Sequence, residues 1–217
     1  MPPNREDAMI RLWGRATSSN VMKVVWLLEE LGLSYERRDV GGPFGGTSGP
    51  EYRAMQPLGL VPALEEDGGF TLFESNAILR YICNAHAPAT PLYPADPRRR
   101  AEVEAWMDFQ QTALNRPASV VFIGLIRTPP EKRDAAAIAA GVKEAAAMWA
   151  IIDAQLARHP HVAGESLSLA DMAYGPHVHR WFNMPIEDRP EAPHLRAWYD
   201  GLLTRPAYKA ACTGPIV

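Results

Sequence analysis

Cysteine is scarce in this chain of 217 residues, with only Cys83 and Cys212 present and no Cys-x-x-Cys. That scarcity excludes a disulfide framework and an intrinsic dithiol centre, so any thiol chemistry has to borrow its sulfur from elsewhere. A basic surplus is also missing. Lys plus Arg number 22 against 25 Asp plus Glu, a formal charge of -3, which gives no broad positive field for nucleic acid or an anionic membrane. The apolar runs are short and broken by charge. Met1 to Asp7 (MPPNRED) has neither the apolar stretch of a signal peptide nor the Arg/Ser pattern of a transit segment. The expected location is therefore the cytoplasm, with small molecules and other protein subunits as partners, and no nucleic acid or membrane. No metal site is expected: His177 and His179 stand two apart, which on a helix turns them in different directions. Gly41 to Gly49 lacks the Gly-Lys-Ser/Thr ending of a phosphate loop, so a lid beside a ligand site is the better reading.

What is present divides the chain in two. Met9 to Trp13 suits a strand, and Thr17-Ser18-Ser19-Asn20 offers capping side chains for a helix. In that helix Val21, Val24, Val25, Leu28 and Leu31 recur at helical spacing, and Gly32 is placed to end it. Tyr35 to Val40 reads as a second strand, completing a βαβ unit with a parallel pair. After a Gly/Pro-rich loop and a short helix over Glu51 to Gln56, a hairpin follows (Pro62 to Glu65 and Phe70 to Phe73). A helix from Ser75 to about Asn84 comes next. Residues 9–84 thus form an α/β domain. Residues 85–97 (AHAPATPLYPADP) carry four prolines and no periodicity, as an inter-domain linker does.

From residue 98 to 217 the pattern is all-helical, with helices expected at 98–115, 130–158, 168–182 and 191–203, and a kink or break before Pro117. Gly141 weakens an alanine-rich helix by about 1 kcal/mol relative to Ala. Ser168-Leu169-Ala170-Asp171 is a capping box with Asp in the Glu/Gln position.

Three short segments can carry chemistry. Thr17 to Asn20 stand at the positive end of the first helix, where a hydroxyl or amide donor favours a thiolate over a thiol; the same residues also suit plain capping. Val61-Pro62 begins a strand, and a cis bond there exposes the Val61 N–H and C=O to an extended peptide; otherwise the proline merely enters the strand. Glu74-Ser75-Asn76 opens a helix whose free amides, with the Ser75 hydroxyl, can hold a carboxylate or simply cap themselves.

In this order, with the Leu-Glu-Glu-Leu-Gly helix end, the Pro-rich linker and the second-domain capping box, the chain resembles the cytosolic glutathione transferase family, bacterial and serine-type in character. The resemblance covers about Met9 to Tyr208. It implies a thioredoxin-like glutathione-binding domain followed by an all-helical domain supplying a hydrophobic acceptor pocket. Carried over, Ser18 faces the glutathione sulfur, and Val61, next to Pro62, pairs with the cysteinyl backbone. Glu74 and Ser75 hold the γ-glutamyl ammonium and carboxylate. Leu60 departs from relatives with a glycyl-binding Lys there. Asn20, two residues after Ser18, matches the spacing of a disulfide-reducing branch and is a second catalytic candidate. Phe44 is the lid's candidate aromatic contact with glutathione, and Trp106, Phe109 and Gln110 are candidates for the acceptor pocket. The activity implied is attack of glutathione thiolate on hydrophobic electrophiles, a detoxification chemistry, by a homodimer. Glutathione-dependent disulfide reduction and a non-catalytic glutathione-binding or interaction module stand as alternatives.

Overall fold

The computed structural model describes residues 9–217, so the reading of the Met1 to Asp7 tail lies outside the described residues. Four short strands, β1 (Ile10–Trp13), β2 (Tyr35–Arg38), β3 (Ala63–Glu66) and β4 (Thr71–Phe73), form one sheet in the order β2-β1-β3-β4. β1 and β2 are parallel, with Ile10 opposite Tyr35, while β3 runs antiparallel to β1 and β4, pairing Leu12 with Leu64 and Leu64 with Leu72. A parallel pair needs a crossover, and helix α1 (Ser19–Leu31) supplies it. Val21, Val24 and Leu28 of α1 are buried as their spacing requires, and Gly32 closes the helix at φ 65°. Helices α2 (Pro50–Met55) and α3 (Ser75–His86) complete this thioredoxin-like part.

No strand follows β4 among the described residues. The second part consists of α4 (Pro97–Phe109), α5 (Asn115–Phe122), α6 (Ala135–Leu156), α7 (Leu169–Asn183), α8 (Pro193–Leu202) and α9 (Pro206–Cys212). Two sequence expectations change here. The helix does not break before Pro117: a π-helical turn over Gln110–Leu114 leads straight into α5, with Pro117 buried inside it. A wide turn just upstream accommodates the missing N–H and the ring of a proline that a regular helix would reject. Helix α9 was not expected. Its proline at the first position is a start signal, and the buried Tyr208 anchors it.

By length and composition α6 could cross a membrane. In this fold it packs on α5 and α8 and buries Trp149, Ile152 and Leu156. Its Gly141 has a packing reason, since a Cβ there would lie 3.0 Å from Val120 Cγ1. At the start of α7 the capping box forms. The Asp171 carboxylate accepts from Ser168 N (2.9 Å), Val162 N (3.1 Å) and Trp198 Nε1 (3.0 Å).

The two parts meet along α1, which packs against α7 and α9. Trp26 is fully buried there, edge-on to Tyr208 with ring centroids 4.8 Å apart. A Cβ on Gly175 would lie 2.5 Å from Trp26 Cζ3, so only glycine lets α7 approach this closely. Burial of a side chain this large contributes about 1.5–3 kcal/mol.

Candidate functional site

The thioredoxin-like part and the α5–α7 face of the helical part enclose a cleft of about 460 Å³. Ser18, Ser19 and Asn20 line it from the start of α1, and Leu60 and Val61 from the segment before β3. Asn115, Ser119, Phe122 and Ile123 close the opposite wall.

Ser18 occupies the N-cap position with extended backbone (φ -82°, ψ 124°), and its carbonyl accepts from Met22 N at 2.9 Å. Its side chain makes no capping hydrogen bond, although the residue is buried. The first turn of α1 contains no acidic residue. The positive end of a 13-residue helix therefore faces the cleft without a compensating charge, next to a hydroxyl not used for capping.

The Val61–Pro62 peptide bond is cis, and the Tyr52 hydroxyl donates to Leu60 O at 2.6 Å, fixing the segment that carries Val61 along the cleft. Glu74, immediately before α3, is held at φ 70°, a conformation few non-glycine residues adopt. The next residue, Ser75, is buried and its hydroxyl donates to Asn20 Oδ1 at 3.3 Å. The fold thus joins two candidates that stand far apart in the sequence. The Glu74 side chain is exposed, and its charge favours the ammonium of Lys23, but complete burial prevails and pushes that lysine down to about 7.

Seven candidates lie outside the cleft lining: Pro62, Glu74 and Ser75, which adjoin it through Val61 and Asn20, and Phe44, Trp106, Phe109 and Gln110. Phe44 sits in a 3-10 turn (Gly42–Phe44) and is 57% exposed, while its neighbours Gly41 and Gly42 do reach the cleft. Trp106 and Phe109 pack edge-on with centroids 5.7 Å apart and rest against the core. Gln110 is fully buried, accepting from Lys23 Nζ at 2.7 Å and standing 3.1 Å from His177 Nε2. Helix α4 packs on α7, and Lys23 of α1 takes up Gln110, so Trp106, Phe109 and Gln110 stand at packed positions outside this cleft.

The wall actually present could have been read. Asn115, Ser119, Phe122 and Ile123 are spaced as one helix face, but an expected break before Pro117 interrupted that pattern. Arg15, Arg127 and Arg180 also line the cleft, and no local motif marked them. Arg180 donates from Nη2 to Thr17 O at 2.8 Å, and its guanidinium carbon lies 3.9 Å from the Phe122 ring centroid. Burial, then the charges of Arg127 and Arg15, push Arg180 down to about 10; Arg15 is lowered by burial and by Arg127.

Both cysteines are buried. Burial pushes the Cys83 thiol up to about 12 and the Cys212 thiol well above its ordinary value, so neither offers a thiolate at neutral pH. Among the described residues no group of three or more His, Cys, Asp or Glu side chains could hold a metal ion.

Comparisons with known proteins identify the family. The family profile for the glutathione S-transferase N-terminal domain matches residues 8–84, and that for the C-terminal domain matches residues 135–201. Glutathione S-transferase GstB of Escherichia coli K12 is 41% identical over 96% of this chain and 100% of its own length. Glutathione S-transferase 4 of Zea mays is 32% identical over 91% of this chain and 89% of its own. The theta-class glutathione S-transferase of Xanthomonas axonopodis pv. citri, solved with glutathione bound, superposes with a TM-score of 0.91. It has 44% identity and covers 96% of this chain and 99% of that one. The two family profiles, together with relatives that match over nearly the whole chain in sequence and fold, make the chain a member of the glutathione S-transferase family: it is a glutathione transferase that takes glutathione as co-substrate.

Proposed function

We propose that Ser18 activates the thiol of bound glutathione for attack on a small electrophile, and that glutathione lies along Val61 with its γ-glutamyl end at Glu74 and Ser75. The observation that carries this reading is the Ser18 hydroxyl, buried in the cleft at the N-terminus of α1 and free of any capping bond. Asn20 is the second candidate: its Oδ1 accepts from Ser75, and its Nδ2 is the donor it would offer the thiol. In this reading Asn20 positions Ser75, and the pair orients the γ-glutamyl carboxylate.

An ordinary thiol with a pKa of about 8.5 is only ~3% ionised at pH 7, whereas a shift of roughly two units makes it mostly thiolate. Such a shift corresponds to about 2.7 kcal/mol, within reach of one hydrogen bond and an uncompensated helix end. The protein then contributes positioning and charge stabilisation, and the nucleophile belongs to glutathione.

The units proposed to do this are a glutathione-binding domain over 9–84, a linker over 85–97 and an acceptor-binding helical domain over 98–217. They act as a cytoplasmic homodimer that removes reactive electrophiles. Turnover assays decide the chemistry. Ser18→Ala should raise the kinetic pKa and slow conjugation of an aromatic halide at pH 7 by about tenfold or more. Wild-type rates in Ser18→Ala, together with loss in Asn20→Ala and efficient turnover of a small disulfide, would replace this reading with disulfide reduction.

A further inference from the structure

Three arginines converge on one end of the cleft from three separate elements. Arg15 comes from the turn after β1, Arg127 from the π-helical turn Ile123–Arg127 after α5, and Arg180 from α7. Some other arginines of this chain are matched to acids: Arg80 lies 2.9 Å from Asp108, Arg11 lies 2.8 Å from Asp67, and Arg205 pairs with Glu30. The three in the cleft have no Asp or Glu side chain within 4.0 Å among the described residues, and none of the residues lining the cleft is acidic. Arg180 uses one N–H on Thr17 O, and Arg127 donates to Val217 O at 3.0 Å. Arg15 Nε is buried with no hydrogen-bond partner at all.

Like charges grouped with no Asp or Glu side chain among them repel one another, and a guanidinium fork left open suits a carboxylate, whose two oxygens it can meet together. The apolar face beside them is Phe122, whose ring lies 5.1 Å from the Arg127 guanidinium carbon and 3.9 Å from that of Arg180. Arg127 and Arg180 belong to the helical part, across the cleft from Val61 and Ser75. Arg180, through Thr17, stands next to Ser18 and so at the sulfur end of the proposed glutathione path.

We infer that the acceptor of this transferase is a small electrophile bearing a carboxylate, which Arg127 and Arg180 bind with Arg15 closing the site, while Phe122 packs against its apolar part. The inference rests on the proposed glutathione placement. With an aryl chloride the step is a substitution: the thiolate forms a C–S bond to the ring carbon, the C–Cl bond breaks, and chloride leaves with the bonding pair. The thiol proton has already passed to solvent, and nothing is oxidised or reduced.

A matched pair tests this: 4-chloro-3,5-dinitrobenzoate and the neutral 4-chloro-3,5-dinitrobenzamide, each rate divided by its uncatalysed rate with glutathione. The expected wild-type preference for the benzoate in kcat/KM is about tenfold or more, falling with added salt. Arg127 is exposed, so Arg127→Gln should fold; it should raise KM for the benzoate more than for the benzamide, and leave KM for glutathione less affected than either. Equal wild-type turnover of the two compounds overturns the inference. So does a rise in glutathione KM alone, which would assign the arginines to the glycyl carboxylate of glutathione. If neither compound turns over, the proposed chemistry fails, and the anion site is then read by calorimetry on protein loaded with S-methylglutathione. Tighter binding of 3,5-dinitrobenzoate than of 3,5-dinitrobenzamide, lost in Arg127→Gln, supports the site, and equal affinities reject it.

Discussion

Helix α1 serves two regions that treat charge in opposite ways. Along its body, at the seam with α7 and α9, α1 carries a single cation of its own, Lys23. It is fully buried, bonded to Gln110, and pushed down to about 7, so that at neutral pH much of it is uncharged. At the N-terminal end of the same helix, the cleft gathers Arg15, Arg127 and Arg180 with no acid among its lining residues. The seam is closed and pairs Lys23 with Gln110, whereas the cleft leaves a hydroxyl, a helix end and guanidinium groups for something outside the protein. Burial of the seam supplies stability, and the unsatisfied groups of the cleft supply binding; substitutions in the two regions should separate along that line.

The largest effect is expected away from the cleft. Asp171→Ala strands the Ser168, Val162 and Trp198 donors that converge on one fully buried carboxylate, and should cost about 3–5 kcal/mol in denaturant unfolding. A loss below about 1 kcal/mol would show that water replaces these bonds.

Lys23 gives the seam a pH signature. Its pKa is about 7 in the folded protein against 10.5 unfolded, so between those values the unfolded chain binds more protons and this group's contribution to stability rises with pH. Below about 7 the contribution is constant and unfavourable; above 10.5 it vanishes. The stability difference between wild type and Lys23→Met should therefore narrow or reverse by a few kcal/mol from pH 7 to 10. A difference independent of pH would mean that the lysine stays charged in the seam.

In the cleft the order reverses. Ser75→Ala should weaken glutathione binding by roughly 1.5–3 kcal/mol, since in this reading the Ser75 hydroxyl turns its one proton from Asn20 to the carboxylate. It should move the unfolding midpoint little, because among the described residues that hydroxyl bonds to Asn20 alone. Unchanged affinity in an equilibrium titration would move the γ-glutamyl end elsewhere.

Local signals made the seam-forming helices and the first half of the cleft legible in the sequence. The periodicity of Val21 to Leu31, the stop at Gly32, the Val61-Pro62 entry and the Ser168 to Asp171 box each lie within a few residues of their structural consequence. The far wall was not legible, because it depends on packing between segments far apart in the chain. Pro117 reads locally as a break, yet a π-helical turn carries the helix through it and brings Phe122 to the cleft. Gln110 reads as a polar pocket residue, yet α1 supplies Lys23 to bury it. Arg15 and Arg180 are separated by most of the chain, and only the docking of α7 against α1 makes them neighbours.

The central claim is that the cleft holds glutathione as a thiolate through Ser18. Ultraviolet titration of the thiolate absorbance of enzyme-bound glutathione tests it most directly. Wild type should ionise about two units below the free-thiol value of about 8.5. Ser18→Ala should return most of that shift while still binding glutathione, and Asn20→Ala should keep it. An unshifted wild-type midpoint, or a shift that survives in Ser18→Ala and disappears in Asn20→Ala, would contradict the account.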